Sequence, residues 1–330
     1  MWEASQLVIW QHAGMKLLNS RTITLNTWDF DNEIMAESSE GVNSAQTKVV
    51  RSCYSGNPDK CFEEFRSQGK YRNLYQVENN TADVVKSPNS VRFVCISDTH
   101  TRTDHLLEGG VLPEGDILIH AGDFTQRSRR EEIVAFNEFL GQIKHRFSHI
   151  VVIAGNHEAQ LDATWTGKTL FGRKFKVRER VVPSEAQELL SNCTYLLDET
   201  IELLGVKIYG SPWQPEHHNL GFNVPRGEPC LAVWNRIPSD TDVLVTHGPP
   251  LGIGDRVGEC AGMRVGCAEL LSTVMERVKP RYHVYGHIHE DYGMWCDGVT
   301  TFINAATCHT PRVNLYTVPQ NRPVVFDFQL

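Results

Sequence analysis

Five short apolar runs, each ending on an acid, an amide or an imidazole, constrain this chain more than any other feature. In "VRFVCISDTH" the β-forming stretch 91–96 stops at Asp98 and His100. "DILIHAGD" stops at Asp123, "HIVVIAGNHE" at Asn156 and His157, "DVLVTHGPP" at His247, and "YHVYGHIHE" at His287 and His289. Runs of this length and content read as buried strands. Open α/β sheets place their ligands at the carboxyl ends of strands. Five such ends, usually with a glycine beside the polar residue, imply one crowded polar site.

The segments between the runs fit the same reading. "REEIVAFNEFLGQI" (130–143) carries Ile133, Phe136, Phe139, Leu140 and Ile143 at helical spacing, and strand–helix–strand units are right-handed by default. A second amphipathic helix is predicted over 267–280, ended by Pro280, and a shorter one begins at Pro183. Residues 193–213 read as a hairpin turning at Leu203–Gly205, and "VTTFINAA", "RVNLYTV" and "PVVFDFQL" make the C-terminal stretch β-rich. Each half of 91–328 thus holds strand–helix–strand segments, predicting an α/β fold of two mixed sheets face to face with helices outside. With 330 residues, one domain over 91–330 preceded by a partly irregular extension, 1–90, suits the length. In that extension, 1–48 reads as an arm or tail, 61–77 as a short helix and an extended piece, and 78–90 as a linker.

The candidate ligands are Asp98, His100, Asp123, Asn156, His247, His287 and His289. Carboxylate, imidazole and amide oxygen suit a borderline divalent ion, and the absence of cysteine among them disfavours a structural zinc site. Seven ligands exceed one octahedron once water is counted, but they suit two ions sharing a carboxylate. Such pairs clamp the attacking and leaving oxygens of an in-line displacement. Two divalent cations set against Asp98 and Asp123 leave positive charge that attracts an anion such as a phosphate ester and acidifies a bound water. His157, next to Asn156, is placed to protonate a leaving group, with Glu158 as a candidate to orient or polarise it. The catalytic candidates are therefore His157 and Asp123.

"SDTH", "GDF", "GNHE", "VTHGPP" and "GHIH" resemble, in order, the five motifs of the calcineurin-like metallophosphoesterases. "SDTHTRTD", "GSPWQP", "GFNVPRG" and "HGPPLGIGD" resemble the metallophosphoesterase domain-containing subfamily. The resemblance implies a four-layer αββα sandwich and hydrolysis of phosphate esters. It implies one ion on Asp98, His100, Asp123 and His289, and another on Asp123, Asn156, His247 and His287. Asp123 then bridges and His157 is the leaving-group acid. After "GD" the chain reads "FTQRSRR" where Ser/Thr protein phosphatases carry "DRG", which argues against that activity. Some subfamily members lack the first histidine of the last motif; this chain keeps it as His287, so a full second metal site is expected.

Mn²⁺ is the expected metal, with Fe²⁺, Co²⁺, Mg²⁺ and Zn²⁺ as alternatives. Arg102, Arg127, Arg226 and Arg256 lie near motif loops and are candidate phosphate contacts; Trp213 and Phe222 are candidate stacking partners for a base. His217, His218, His283 and the other remaining histidines read as ordinary surface or core residues, and His120 as a core histidine. The formal net charge of −8 disfavours a long nucleic acid but not a small phosphate ester. Nine scattered cysteines without a CxxC pair suggest free thiols and a reducing, cytoplasmic setting. The start lacks a signal-peptide pattern and no apolar run reaches about 18 residues, so no membrane span is expected. The expected activity is a phosphodiesterase on small nucleotide-type esters, such as cyclic nucleotides, by attack of a hydroxide formed at the metals. The rivals are a nuclease and a nucleotide-binding regulatory scaffold with residues 1–90 as a protein-binding arm. The sequence leaves oligomeric state open.

Overall fold

The alternating apolar pattern of the five runs becomes alternation between two faces of a sheet. The computed structural model describes residues 49, 51–79, 85–166, 182–258, 262–309, 318–319 and 321–330. In chain order its main elements are α1 (Pro58–Ser67), β1 (Tyr75–Val77), β2 (Ser90–Ile96), β3 (Ile117–His120), α2 (Arg130–Ile143) and β4 (His149–Val152). Then come β5 (Thr194–Tyr195), β6 (Glu199–Leu203), β7 (Val206–Ser211), α3 (Glu228–Trp234), β8 (Val243–Thr246) and α4 (Ala268–Ser272). The last are β9 (Tyr282–Tyr285), β10 (Gly293–Cys296), β11 (Thr301–Asn304) and β12 (Val324–Gln329).

Two sheets form. One has five strands in the order β12-β2-β3-β4-β5, parallel except for the antiparallel edge β12. The other has seven, β1-β10-β11-β9-β8-β7-β6, with a parallel centre β11-β9-β8-β7. Val91, Phe93 and Cys95 of β2 join Val206, Ile208, Val243, Val245, Val284 and Ile303 of the other sheet in one buried cluster, so these faces meet. The intervening residues Val94 and Ile96 point the other way, onto Ile133, Phe136 and Phe139 of α2. Behind the seven-stranded sheet, Leu244, Tyr285 and Phe302 pack against Cys61 and Phe65 of α1, Trp234 of α3 and Leu270 of α4. The layers are therefore helix, sheet, sheet, helix. Each fully buried large apolar side chain in them contributes about 1.5–3 kcal/mol relative to exposure.

The helix read over 130–143 forms with those bounds, and the five residues read as its apolar face are the buried ones. The hairpin also forms: Leu203 pairs with Val206, and Leu204 and Gly205 both take positive φ (52° and 80°), as a two-residue turn of matching twist requires. The 267–280 helix changes pitch, passing from α4 into a π-helical stretch at Thr273–Val278. Two pieces of the stretch read as an extension join the body of the fold: α1 buries Cys61 and Phe65, and β1 pairs with β10. The tail read over 1–48 and nearly all of the strand read over 312–318 lie outside the described residues.

Candidate metal centre

The loops that leave β2, β3, β4, β8 and β9 converge, and their backbones interlock before any side chain is considered. Asp98 N–H donates to Gly122 O (2.9 Å) and His100 N–H to Asp123 O (3.0 Å). Gly286 N–H donates to His247 O at 2.9 Å, joining the β8 and β9 loops. Asp98, His100, Asp123 and His287 all hold positive φ, between 45° and 69°, a conformation unusual for residues with a Cβ and stored where surroundings over-determine it. Glycine supplies the clearance. A Cβ on Gly122 would come within 2.6 Å of His247 Nδ1, and one on Gly155 within 2.6 Å of both Asp123 N and His247 Cε1.

All seven side chains read as ligands meet here. His289 Nε2 lies 3.1 Å from Asp98 Oδ1 and 3.2 Å from His100 Nε2. His247 Nε2 lies 3.0 Å from Asn156 Oδ1 and 3.4 Å from Asp123 Oδ2. Asp98, His100 and His289 form one close set and Asp123, His247 and His287 another, while a third set of His100, Asp123 and His157 spans the gap. Asp123 Oδ1 is taken by the N–H of His157 (2.8 Å), leaving Oδ2 between His247 and His100, from which it lies 3.4 and 3.9 Å.

The donors fit divalent cations. His100 Nδ1 lies 3.2 Å from Thr125 O and His247 Nδ1 2.9 Å from Ala121 O. A carbonyl only accepts, so each Nδ1 carries a proton and each Nε2 is the nitrogen turned inward, open to a cation once any proton it holds has left. Two imidazole Nε2 atoms facing each other at 3.2 Å need a proton or a cation between them. Burial raises Asp98, but its hydrogen bond with His289 and the charges of His289 and His247 hold it below the usual carboxylate range. Asp123 is likewise held well below, against burial, by His247 and His157. Burial lowers His247, yet the charge and hydrogen bond of Asp123 carry it up to about 9. Burial dominates at His100, pushed down to about 4, and at His287, pushed well below its ordinary value. The centre therefore stores protons on some imidazoles and bare lone pairs on others, as a site that exchanges protons for metal does.

His157 and Glu158 divide their work differently from the sequence reading. Glu158 does not orient His157. Its carboxylate, fully buried, accepts the N–H groups of Asp123 (2.8 Å), Gly155 (2.7 Å) and Thr125 (2.7 Å) and the Thr125 hydroxyl (2.7 Å). It is a latch beneath the Asp123 and Asn156 loops. Burial and then the charge of Asp123 push it up to about 7, opposed by those donors. His157 is instead oriented by the Gln126 carbonyl, 2.8 Å from Nδ1, which leaves Nε2 as the nitrogen 4.0 Å from Asp123 Oδ2.

An open cavity of about 260 Å³ exposes the centre, lined by His100, Asp123, Asn156, His157, His287 and His289, and beyond these by Gln126, His217, His218, Leu220 and Glu290. The six residues read as substrate contacts are not among its lining. Arg226 donates to the carbonyls of Gly266 (2.7 Å) and Val265 (2.6 Å), bracing a loop. Trp213 Nε1 donates to Asp198 (2.9 Å), and its ring meets the buried Phe222 edge to face. Arg102, Arg127 and Arg256 are exposed and not part of the cavity lining. Conversely His217 and His218, read as ordinary histidines, stand at the mouth. The His217 ring is 5.4 Å from that of His287, and burial followed by His218 and His157 lowers its pKa to about 4. Only the doubled histidine in a loop beside "GSPWQP" hinted at it. His120 and His283 are core residues, each with Nε2 against a threonine, Thr99 (3.0 Å) and Thr246 (2.9 Å), that adjoins a ligand.

Comparison with known proteins agrees with this centre. The calcineurin-like phosphoesterase family model matches residues 91–291. Metallophosphoesterase domain-containing protein 1 of Homo sapiens and that of Mus musculus are each 44% identical to the chain over 283 residues, 83% of either partner. A UPF0046 protein of Caenorhabditis elegans is 42% identical over 280 residues, 84% of this chain and 94% of its own.

Proposed function

The chain belongs to the calcineurin-like phosphoesterases, in their metallophosphoesterase domain-containing subfamily, and on that premise we propose that it hydrolyses phosphodiesters with small nucleotide-type leaving groups. Family membership makes it a metal-dependent phosphoesterase; diester and nucleotide preference is our reading. The observation that carries it is the convergence of seven oxygen and nitrogen donors, five of which line one open cavity together with His157. Asp98, His100, Asp123 and His289 would hold one divalent ion and Asp123, Asn156, His247 and His287 the other. When bound, two ions, Mn²⁺ first among candidates for such a donor set, supply Lewis acidity toward the phosphoryl oxygens and acidify a water.

The protein's own groups then do the rest. The Glu158 latch fixes the Asp123 and Asn156 loops, so the donors need no rearrangement as charge develops. Gln126 O holds His157 Nδ1–H, so Nε2 carries the transferable proton to the departing oxygen. The cavity has room for a phosphoryl group and a ribose-sized group, with His217 and His218 in its wall. Eight described cysteines are unpaired, and no described helix is long and apolar enough to cross a membrane, which supports the cytoplasmic reading.

The test is His157→Ala with a diester substrate. Turnover should fall by more than about 10²-fold while metal content stays at the wild-type value. The loss should shrink for an ester whose leaving group needs no proton. Undiminished turnover on a poor leaving group would remove His157 from the acid role.

A further inference from the structure

Beyond the candidate ligands and His157, the cavity wall is Gln126, His217, His218, Leu220 and Glu290. No lysine or arginine is among the described lining residues. Of the arginines read as phosphate contacts, Arg226 has its guanidinium committed to the Val265 and Gly266 carbonyls, and Arg102, Arg127 and Arg256 are not in the lining. Glu290 directly follows His289, and its charge acts on that imidazole. The loop carrying His217 is fastened to the centre: Gly221 N–H donates to Asn156 O (3.0 Å) and Asn223 Nδ2 to His217 O (3.0 Å). His218 and Asn219 there both hold positive φ, 54° and 52°. Among the described residues the His217 ring nitrogens have no hydrogen-bond partner, so they are available to a ligand in the cavity.

Charge decides what this wall accepts. Two divalent ions against Asp98 and Asp123 leave two positive charges. A phosphodiester brings one negative charge, whereas a monoester, with a second pKa near about 6, brings close to two at neutral pH. Sites for the dianion commonly add a guanidinium or ammonium donor for the extra charge. Here the added charged group is a carboxylate.

We propose that Glu290 is a specificity-determining residue that turns the centre toward monoanionic phosphodiesters and against dianionic monoesters, with His217 donating to a non-bridging oxygen. This rests on the phosphoesterase reading above and names how it chooses its substrate. Glu290 is exposed, so solvent screens it and its effect is modest.

The experiment compares wild type, Glu290→Gln and Glu290→Lys, each loaded with Mn²⁺, on bis(p-nitrophenyl) phosphate and p-nitrophenyl phosphate, which share a leaving group. Inorganic phosphate is also titrated calorimetrically into each at neutral pH. Glu290→Gln should raise the monoester-to-diester ratio of kcat/KM, and tighten phosphate binding, by roughly 3- to 10-fold, with a larger change for lysine and a smaller one at high salt. Metal content should not change. A ratio and a phosphate affinity that stay within twofold across the three proteins overturn the proposal. The phosphate titration decides it even if wild type cleaves neither ester, an outcome that would count against the phosphodiesterase reading alone.

Discussion

Replacing Glu158 by glutamine removes one charge and one acceptor from a place where the backbone offers only donors. Oε2 accepts from Asp123 N and Gly155 N, and Oε1 from Thr125 N and Thr125 Oγ1. If the amide nitrogen faced Asp123 and Gly155, two buried N–H groups would meet a third donor. In the better orientation it faces Thr125, whose hydroxyl can reverse and donate to His157 O, 3.2 Å away. One backbone N–H, that of Thr125, is then stranded. A stranded buried donor costs about 1–3 kcal/mol, and the surviving bonds fall from charge-assisted to neutral strength. The total is about 2–4 kcal/mol in the metal-free protein, or a drop in Tm of roughly 3–6 °C at this size. Because the latch holds the Asp123 and Asn156 loops, metal affinity should also fall, by about 10- to 100-fold. Differential scanning calorimetry on the chelated protein reads the first effect and metal titration the second. Wild-type Tm together with wild-type metal affinity would refute the latch.

The close approach at Gly155 gives a second expectation: Gly155→Ala pushes a methyl against Asp123 N and His247 Cε1, at 2.6 Å each, and should cost about 1–3 kcal/mol and at least about tenfold in metal affinity. Metal titrations with a thermal unfolding series check both. Proton release gives a third. His247, carried up to about 9 by Asp123, holds a proton at neutral pH that a cation must displace. Apparent affinity should therefore rise with pH through about 7 to 9, by close to tenfold per unit for that proton, and level off above. Calorimetric titrations in buffers of different ionisation enthalpy measure the proton count; pH-independent affinity over that window contradicts the assignment. Full chelation should lower Tm in proportion to the lost binding energy, about 2.7 kcal/mol when free metal had stood at 100 times its Kd.

How much of this was written in the order of residues can be judged element by element. Ile133, Phe136, Phe139, Leu140 and Ile143 recur at a helical period, and a helix needs nothing beyond that face and something to bury it against. The strand runs carry their own ends, and an acid or imidazole just past a buried strand has few places to point other than the sheet's carboxyl edge. Asp98, His100, Asp123, Asn156, His247, His287 and His289 were legible for that reason. Arg226, Trp213 and Phe222 have partners outside the cavity lining, because nearness to a motif in sequence says nothing about side-chain direction: the guanidinium found two carbonyls and the indole an aspartate.

What the fold alone decided are the contacts made by groups without a period. Glu158 follows His157 in the chain, yet it turns inward because three N–H groups from loops up to 35 residues away have no other acceptor there. The paired histidines reach the cavity only because Gly221 N–H finds Asn156 O across 65 residues of sequence. Local sequence sets which chemical groups stand at each strand end. Which groups then face one another depends on closing loops between distant segments, and that is settled by the hydrogen-bonding needs of buried backbone, to which no single stretch of sequence has access.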